Sequence, residues 1–332
     1  MKRRLLIVSP RFHGYARSIG QAFASLGYEV AVHAYDAADL TPISALLNRV
    51  QQHAPELLGD LIAERAAERA IKIARRVNAD RILIIKGDRL GGAWWEYVRS
   101  SNSRGAVWFY DELRRMSYSV DAIGQLDIPF ATYSASDART LDAMGKVAHH
   151  IPLGYDHLTP FQPMKVNAVT FIGARYVNRE QLLLGIQSRG VNVCAIGRDW
   201  SKHPWDMLRT QRFTSPDVSS RREVDRAGAY GIMAGSIATL NTHFDQDGFT
   251  MRTFEAAGVG AVQLIDRDDV SEYLEPEREV LVFHTADEAA DHAARIQREP
   301  ATARRIRERA RKRTLEQHTL VQRAMSLEML WA

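Results

Sequence analysis

The sequence predicts an α/β protein of two similar halves, each a doubly wound parallel sheet. Three observations carry this expectation. Short, nearly continuous apolar runs recur along the chain, helical patterns lie between them, and the whole rhythm restarts beyond a proline-bearing seam. In the first half the runs are RLLIVS (residues 4–9), YEVAVHAY (28–35), RILIIKG (81–87), AVWFYD (106–111) and PFATYS (129–134). Apolar runs without alternation are expected for strands buried on both faces. Helical patterns fall at residues 16–26, in two stretches across 43–78 interrupted at Pro55, at 92–100 and at 135–144.

The second half repeats the pattern: AVTFIGA (168–174), a helix through 181–186, VNVCAIG (191–197), IATLNT (237–242), a helix through 255–257, AVQLID (261–266) and VLVFH (280–284). Helical sequence from residue 286 to 330 closes the chain. The expected division is an N-terminal domain at 1–155, a linker at 156–167, a C-terminal domain at 168–315, and a final helix at 316–332 that packs back on the first domain.

Composition narrows the class. With 332 residues, 45% hydrophobic and 25% charged, the chain has enough apolar sequence for full cores and is neither low-complexity nor disordered in bulk. A single cysteine, Cys194, excludes an internal disulfide and a Cys-rich metal site, which points to a reducing, cytoplasmic setting. The apolar stretch near the start is too short for a signal-peptide core or a membrane span. Net charge is only +4, but RRIRERARKR (304–313) gathers seven basic residues against one acidic. Its spacing fits a solvated helix face, with an acidic partner as the alternative.

Ligands of open α/β sheets bind beyond the carboxyl ends of the strands, so the loops there hold the candidate chemistry. After the first run, His13 and Gly14 precede a helix start, without the G-x-G-x-x-G fingerprint of dinucleotide sites. In FIGARYVNRE, Gly173 permits a tight turn, and Arg175 and Arg179 stand four apart, suited to a diphosphate, while Glu180 is a competing partner.

The richest loop is THFDQDGFTMRTFEAAG, where Asp247 and Glu255 flank Gly248, Phe249 and Thr250 at a helix start. Backbone amides there can hold phosphate oxygens, and the two acids can accept hydrogen bonds from vicinal hydroxyls, as on a ribose or hexose. Asp245 and Asp247 have D-x-D spacing, but no metal site is expected. Asp111, Asp88 and His13 are the candidates for contacting or deprotonating an acceptor hydroxyl.

The run at 241–266 with its FEAAGVGAVQLID core, YLEPEREVLVFH (273–284) and RARKRTLEQHT resemble the C-terminal half of the CgeB-like glycosyltransferases, a branch of the GT-B superfamily. WFYDE (108–112), FATYSASDARTLDAMGKVAHHIPLGYD (130–156) and residues 171–200 are similar to other parts of that family. The resemblance implies GT-B architecture: two Rossmann-like domains facing an interdomain cleft, the acceptor mainly on the first and a nucleotide sugar, UDP-linked by family habit, mainly on the second.

It also implies that Glu255 binds the ribose hydroxyls, Asp247 the transferred sugar, Arg175 and Arg179 the diphosphate, and the Gly197 region with Arg198 and Trp200 the base, with the core as the equal alternative for Trp200. Retaining members carry two glutamates at this spacing, so Asp247 is a departure from their pattern. The implied activity is hexosyl transfer, retaining and metal-independent, with no cofactor beyond the donor. The acceptor class stays open among small molecule, glycan, protein and nucleic acid. A sugar-nucleotide epimerase or hydrolase, an enzyme glycosylating nucleic acid, and a non-catalytic binder would share the same donor contacts.

Overall fold

The computed structural model describes residues 3–11, 13–36, 55–214 and 216–332. The chain divides into two compact units, Met1–Leu153 with Leu320–Ala332, and Gly154–Thr319. The helical pattern expected from residue 43 to Pro55 falls almost wholly outside the described residues.

The first unit is built on β1 (Arg4–Ser9), β2 (Glu29–Ala34), β3 (Arg81–Ile85), β4 (Arg104–Phe109), β5 (Phe130–Thr132) and β6 (Ala148–His150). They form one parallel sheet in the order β2-β1-β3-β4-β5-β6. Its helices are α1 (Tyr15–Ser25), α2 (Pro55–Val77), α3 (Gly92–Ser100), α4 (Val120–Gly124) and α5 (Ala135–Ala143). Pro55 opens α2, where a missing N–H costs nothing. Ser119 and Ser134 cap α4 and α5 by accepting backbone N–H bonds.

The expectation of strands buried on both faces holds for β1, β3 and residues 106–109 of β4, but β2 corrects it. Its residues alternate between exposed and half-buried because it is the outermost strand of the described sheet, and Val32 is 44% exposed.

The second unit carries β7 (Val166–Ile172), β8 (Val193–Ile196), β9 (Ser219–Arg221), β10 (Ser236–Asn241), β11 (Gln263–Ile265) and β12 (Leu281–Val282), again all parallel. Their order is β12-β11-β10-β7-β8-β9. The helices are α6 (Val177–Ser188), α7 (Pro204–Thr210), α8 (Arg226–Gly235), α9 (Met251–Gly258), α10 (Ala286–Arg298) and α11 (Pro300–Gln317). Pro300 divides the helical sequence that begins at residue 286 by opening a new helix. β1 lies between β2 and β3, and β7 between β8 and β10, so the chain reverses its direction of winding at β1/β3 and at β7/β10. Those switch points place paired loops beside an open crevice in doubly wound folds.

Arg307 of α11 ties the second unit together. Its buried guanidinium donates to the carbonyls of Ala234, Gly260, Ser236 and Ile237, joining the ends of α8 and α9 to the start of β10. Past Thr319 the chain returns to the first unit as α12 (Leu320–Glu328). There Tyr28 donates to Glu328 at 2.6 Å, Arg3 pairs with the same carboxylate at 2.9 Å, and Trp331 packs against Phe23.

Candidate functional site

The site is built from the loops leaving β7 and β10, neighbouring strands at the switch point of the second unit. The β7 loop is shaped by a close backbone approach. A Cβ on Gly197 would lie 2.7 Å from the Gly173 carbonyl, which also accepts the Trp200 indole N–H at 2.9 Å. Trp200 is fully buried and meets Phe171 edge-on, so of its two expected places, base pocket or core, it takes the core and supports the loop. Arg198, expected beside it, pairs with Glu223.

The two loop arginines diverge. Arg175 is 8% exposed and grips Glu180 with two nearly parallel bonds, Nε to Oε2 at 2.9 Å and Nη2 to Oε1 at 2.7 Å, while Nη1 donates to the Thr214 carbonyl at 2.8 Å. Its charge is therefore neutralised within the loop, and the pair expected to act together on a diphosphate is split. Arg179 instead lies between the rings of Phe171 and Tyr176, at 5.2 and 4.8 Å, with Nη1 donating to the Ala174 carbonyl.

The loop from β10 to α9 is held from β11. Asp266 accepts the backbone N–H groups of His243 and Phe244, and its Oδ1 lies 3.2 Å from His243 Nδ1. Asn241 donates to Thr253 Oγ1 at 2.8 Å, and Thr253 Oγ1 lies 3.2 Å from His243 Nε2. The Thr250 N–H also approaches that nitrogen, at 3.4 Å. Burial disfavours the charge on Asp266, yet the hydrogen bond from His243 and the two backbone N–H groups outweigh it and hold the carboxyl below its ordinary value.

The next residue, Arg267, donates to the carbonyls of Gln246 and Asp247, lies 4.2 Å from the Phe249 ring and pairs with Asp269. Gly248 and Phe249 are consequently buried, while Asp245 and Asp247 are exposed. Thr250 is the N-cap of α9, and no side chain caps that helix, whose first amides are oriented as an anion-binding end. Glu255, one turn further, is 1% exposed, accepts from Tyr230 Oη at 3.2 Å and pairs with Arg252 at 2.8 Å. Glu255 and Asp247 thus have different immediate neighbours, the first Tyr230 and Arg252, the second Arg267.

In the first unit, His13 is exposed in a left-handed turn (φ 42°) after β1. Asp111, after β4, pairs with Lys86 at 2.9 Å, and Asp88 accepts the Ser117 N–H at 3.1 Å. Its neighbour Glu112 is the buried acid of this edge, 1% exposed and bound by Arg114, Arg115 and Tyr133. The roles of His243, Asp266, Arg267 and Lys86 escaped sequence reasoning. The only signal was the acid-base pair directly after an apolar run in LIDRDD. Among the described residues no group of three or more His, Cys, Asp or Glu could hold a metal ion.

Residues 179–329 match the model of a family described as glycosyl transferase-like. No curated protein matches the chain in sequence. Sucrose-phosphate synthase from Thermosynechococcus elongatus is similar in structure, with a TM-score of 0.68 at 15% identity over 99% of this chain and 98% of that one. Anabaena HepE in complex with UDP-glucose gives 0.67 at 12% identity, covering 99% of each chain. A protein from Listeria monocytogenes described as a UDP-N-acetylglucosamine 2-epimerase gives 0.59 at 12% identity, covering 99% of this chain and 95% of that one. These likenesses establish the fold: two Rossmann-like units of the GT-B type.

Proposed function

We propose that this chain transfers a hexosyl group from a nucleoside-diphosphate sugar, UDP-linked, to an acceptor hydroxyl, and that it belongs to the CgeB-like branch of GT-B enzymes. One observation carries the proposal. At the β7/β10 switch point, the uncapped start of α9, a ring-packed arginine in the first turn of α6 and a buried carboxylate of α9 lie in a segment that matches glycosyl transferase-like sequences. The Listeria structure shows why the fold alone does not choose the reaction.

In this reading the amides of Phe249 and Met251, on either side of the Thr250 N–H that approaches His243, and the Arg179 guanidinium receive the diphosphate, with the backbone turns at Gly173 and Gly248 giving it access. Glu255 takes the ribose hydroxyls and Asp247 the hydroxyls of the sugar. The Gly197 backbone borders the base. Arg175, already held by Glu180, positions the loop that carries Arg179.

Breaking the bond to the sugar's anomeric carbon leaves growing negative charge on the departing phosphate oxygens. Donors fixed in advance there stabilise the transition state more than the ground state. In this reading the leaving-group charge is met by protein groups, and the reaction runs without a metal, with retention at the anomeric carbon. Asp111 or His13 contacts the acceptor hydroxyl.

The test is calorimetry with a panel of nucleoside diphosphates and their sugars, followed by mass analysis of products with candidate acceptors. Tight binding of one donor and a product heavier by one hexose are expected. Absence of binding by every donor would overturn the reading, and conversion of the donor without any acceptor would place the chain with hydrolases or epimerases.

A further inference from the structure

The first unit holds a cavity of about 490 Å³ between α3 and α4, to which the donor and acceptor contacts above assign no ligand apart from the candidate Asp88 at its rim. That volume lies within the range of small-molecule sites. Leu90, Val98, Leu126 and Ile128 give it an apolar floor, and the rings of Trp95 and Tyr118 form a wall.

The wall is fixed in place. Tyr118 donates its hydroxyl to the Lys86 carbonyl at 2.8 Å, and its ring packs against Phe109. A Cβ on Gly87 would sit 2.8 Å from the Tyr118 hydroxyl and 3.0 Å from the Trp95 ring, so the chain there passes close behind both rings. Lys86 and Gly87 both have left-handed backbone (φ 61° and 82°), and this turn delivers Asp88 to the cavity. For Lys86 that conformation is costly, and such strain collects where a side chain must be aimed.

The charges of the lining decide what fits. Asp88, Glu96 and Asp127 face it with Arg99 as the one opposing cation, a net of −2 in a chain whose overall charge is +4. Among the described residues neither Glu96 nor Asp127 forms an ion pair, so their charge is not neutralised in place. Uncompensated carboxylates around an aromatic wall attract a cation and repel phosphate or carboxylate.

We propose that the α3–α4 cavity binds a small protonated amine carried on a polar frame, such as an amino sugar or a polyamine. The ammonium group lies against the Trp95 and Tyr118 rings and within reach of Asp88 and Asp127, and the frame covers the apolar floor. The site does not rest on the glycosyl-transfer reading, because it requires no donor.

The test titrates the full chain with glucosamine, N-acetylglucosamine and spermidine, following the indole N–H resonance of Trp95, assigned with Trp95→Phe. Glucosamine and spermidine should shift it at millimolar concentration. Capping the amine in N-acetylglucosamine, or the double change Asp88→Asn and Asp127→Asn, should weaken binding by about tenfold or more, and added salt should do the same. Exposed Asp127→Asn alone should weaken it by a smaller factor while leaving the fold intact, which guards against a folding artefact in the double variant. Equal binding of glucosamine and N-acetylglucosamine, or no shift with either amine, would overturn the proposal. Because no nucleotide is present, this outcome is independent of the donor screen.

Discussion

His243 Nδ1 lies 3.2 Å from Asp266 Oδ1, and the pair fixes the tautomer of a buried imidazole. Asp266 is ionised, so it accepts, and Nδ1 must carry the proton. Nε2 is then an acceptor, which suits its other neighbours. Thr253 Oγ1 receives a bond from Asn241 and directs its own proton to Nε2, and the Thr250 N–H approaches the same atom. A relay thus runs from the end of β10 through the first turn of α9 to the end of β11, and it determines where the helix amides stand.

Replacing Asp266 should show the strength of that relay. Asp266→Ala strips acceptors from two backbone N–H groups and the imidazole, at a cost of about 2–4 kcal/mol of stability. The carboxyl is depressed below its unfolded value, near 3.9, so its contribution is complete above roughly pH 4 and is lost as pH falls through the folded value. Urea midpoints measured between pH 2.5 and 6 should therefore decline on the acid side more steeply in the wild type than in Asp266→Asn. Parallel curves would contradict this.

Arg307 should be among the most sensitive structural positions in the second unit. It satisfies carbonyls at the ends of two helices and the start of a strand, groups otherwise orphaned in the interior. Burial lowers its pKa, but a guanidinium stays charged at any working pH. Arg307→Ala should cost about 3 kcal/mol or more by chemical denaturation, and Arg307→Lys should recover only part, since one ammonium cannot reproduce the fork.

Much of the fold was legible because parallel strands announce themselves by apolar runs. RLLIVS became β1 to the residue, and RILIIKG contains β3, which stops two residues earlier at Ile85. The strands that composition missed are polar edges. Ser219–Arg221 lies at one margin of its sheet, where SSR needs no buried face, and Ala148–His150 ends the other sheet with both histidines exposed. Sequence spacing located the loop containing Asp247 and Glu255, but it could not show that a distant strand end, Asp266–Arg267, clamps it. Nor could spacing decide between Glu180 and a ligand as the partner of Arg175. Such choices are set by tertiary packing rather than by local pattern.

Glu255 should act on donor affinity more than on turnover. Its carboxylate is buried beside Tyr230 and Arg252, a position suited to holding a part of the substrate that does not change during bond breaking. Interactions that are equal in ground and transition states alter KM with little effect on kcat. Glu255→Gln should raise the donor KM by about tenfold to a hundredfold and change kcat by less than about threefold, as read by initial rates of nucleotide release. A selective fall in kcat would place Glu255 at the reacting bond instead.

The two arginines of the β7 loop should separate into a structural and a catalytic member. Arg175 forms a nearly buried, two-pronged pair with Glu180, and its removal leaves that carboxylate and the Thr214 carbonyl without their donor. Arg175→Ala should cost about 2–4 kcal/mol in denaturation experiments, and Glu180→Gln, which retains a polar partner, should cost less. Arg179 packs over two rings and donates to the Ala174 carbonyl, contacts whose loss should cost about 1 kcal/mol, so Arg179→Ala should destabilise the chain less than Arg175→Ala. If its guanidinium meets the departing diphosphate, that same substitution should lower kcat by about 10²–10³-fold, the scale of losing one preorganised donor. Parallel measurement of unfolding and turnover on both variants distinguishes the roles. Near-normal turnover in Arg179→Ala would move the diphosphate onto the α9 amides alone.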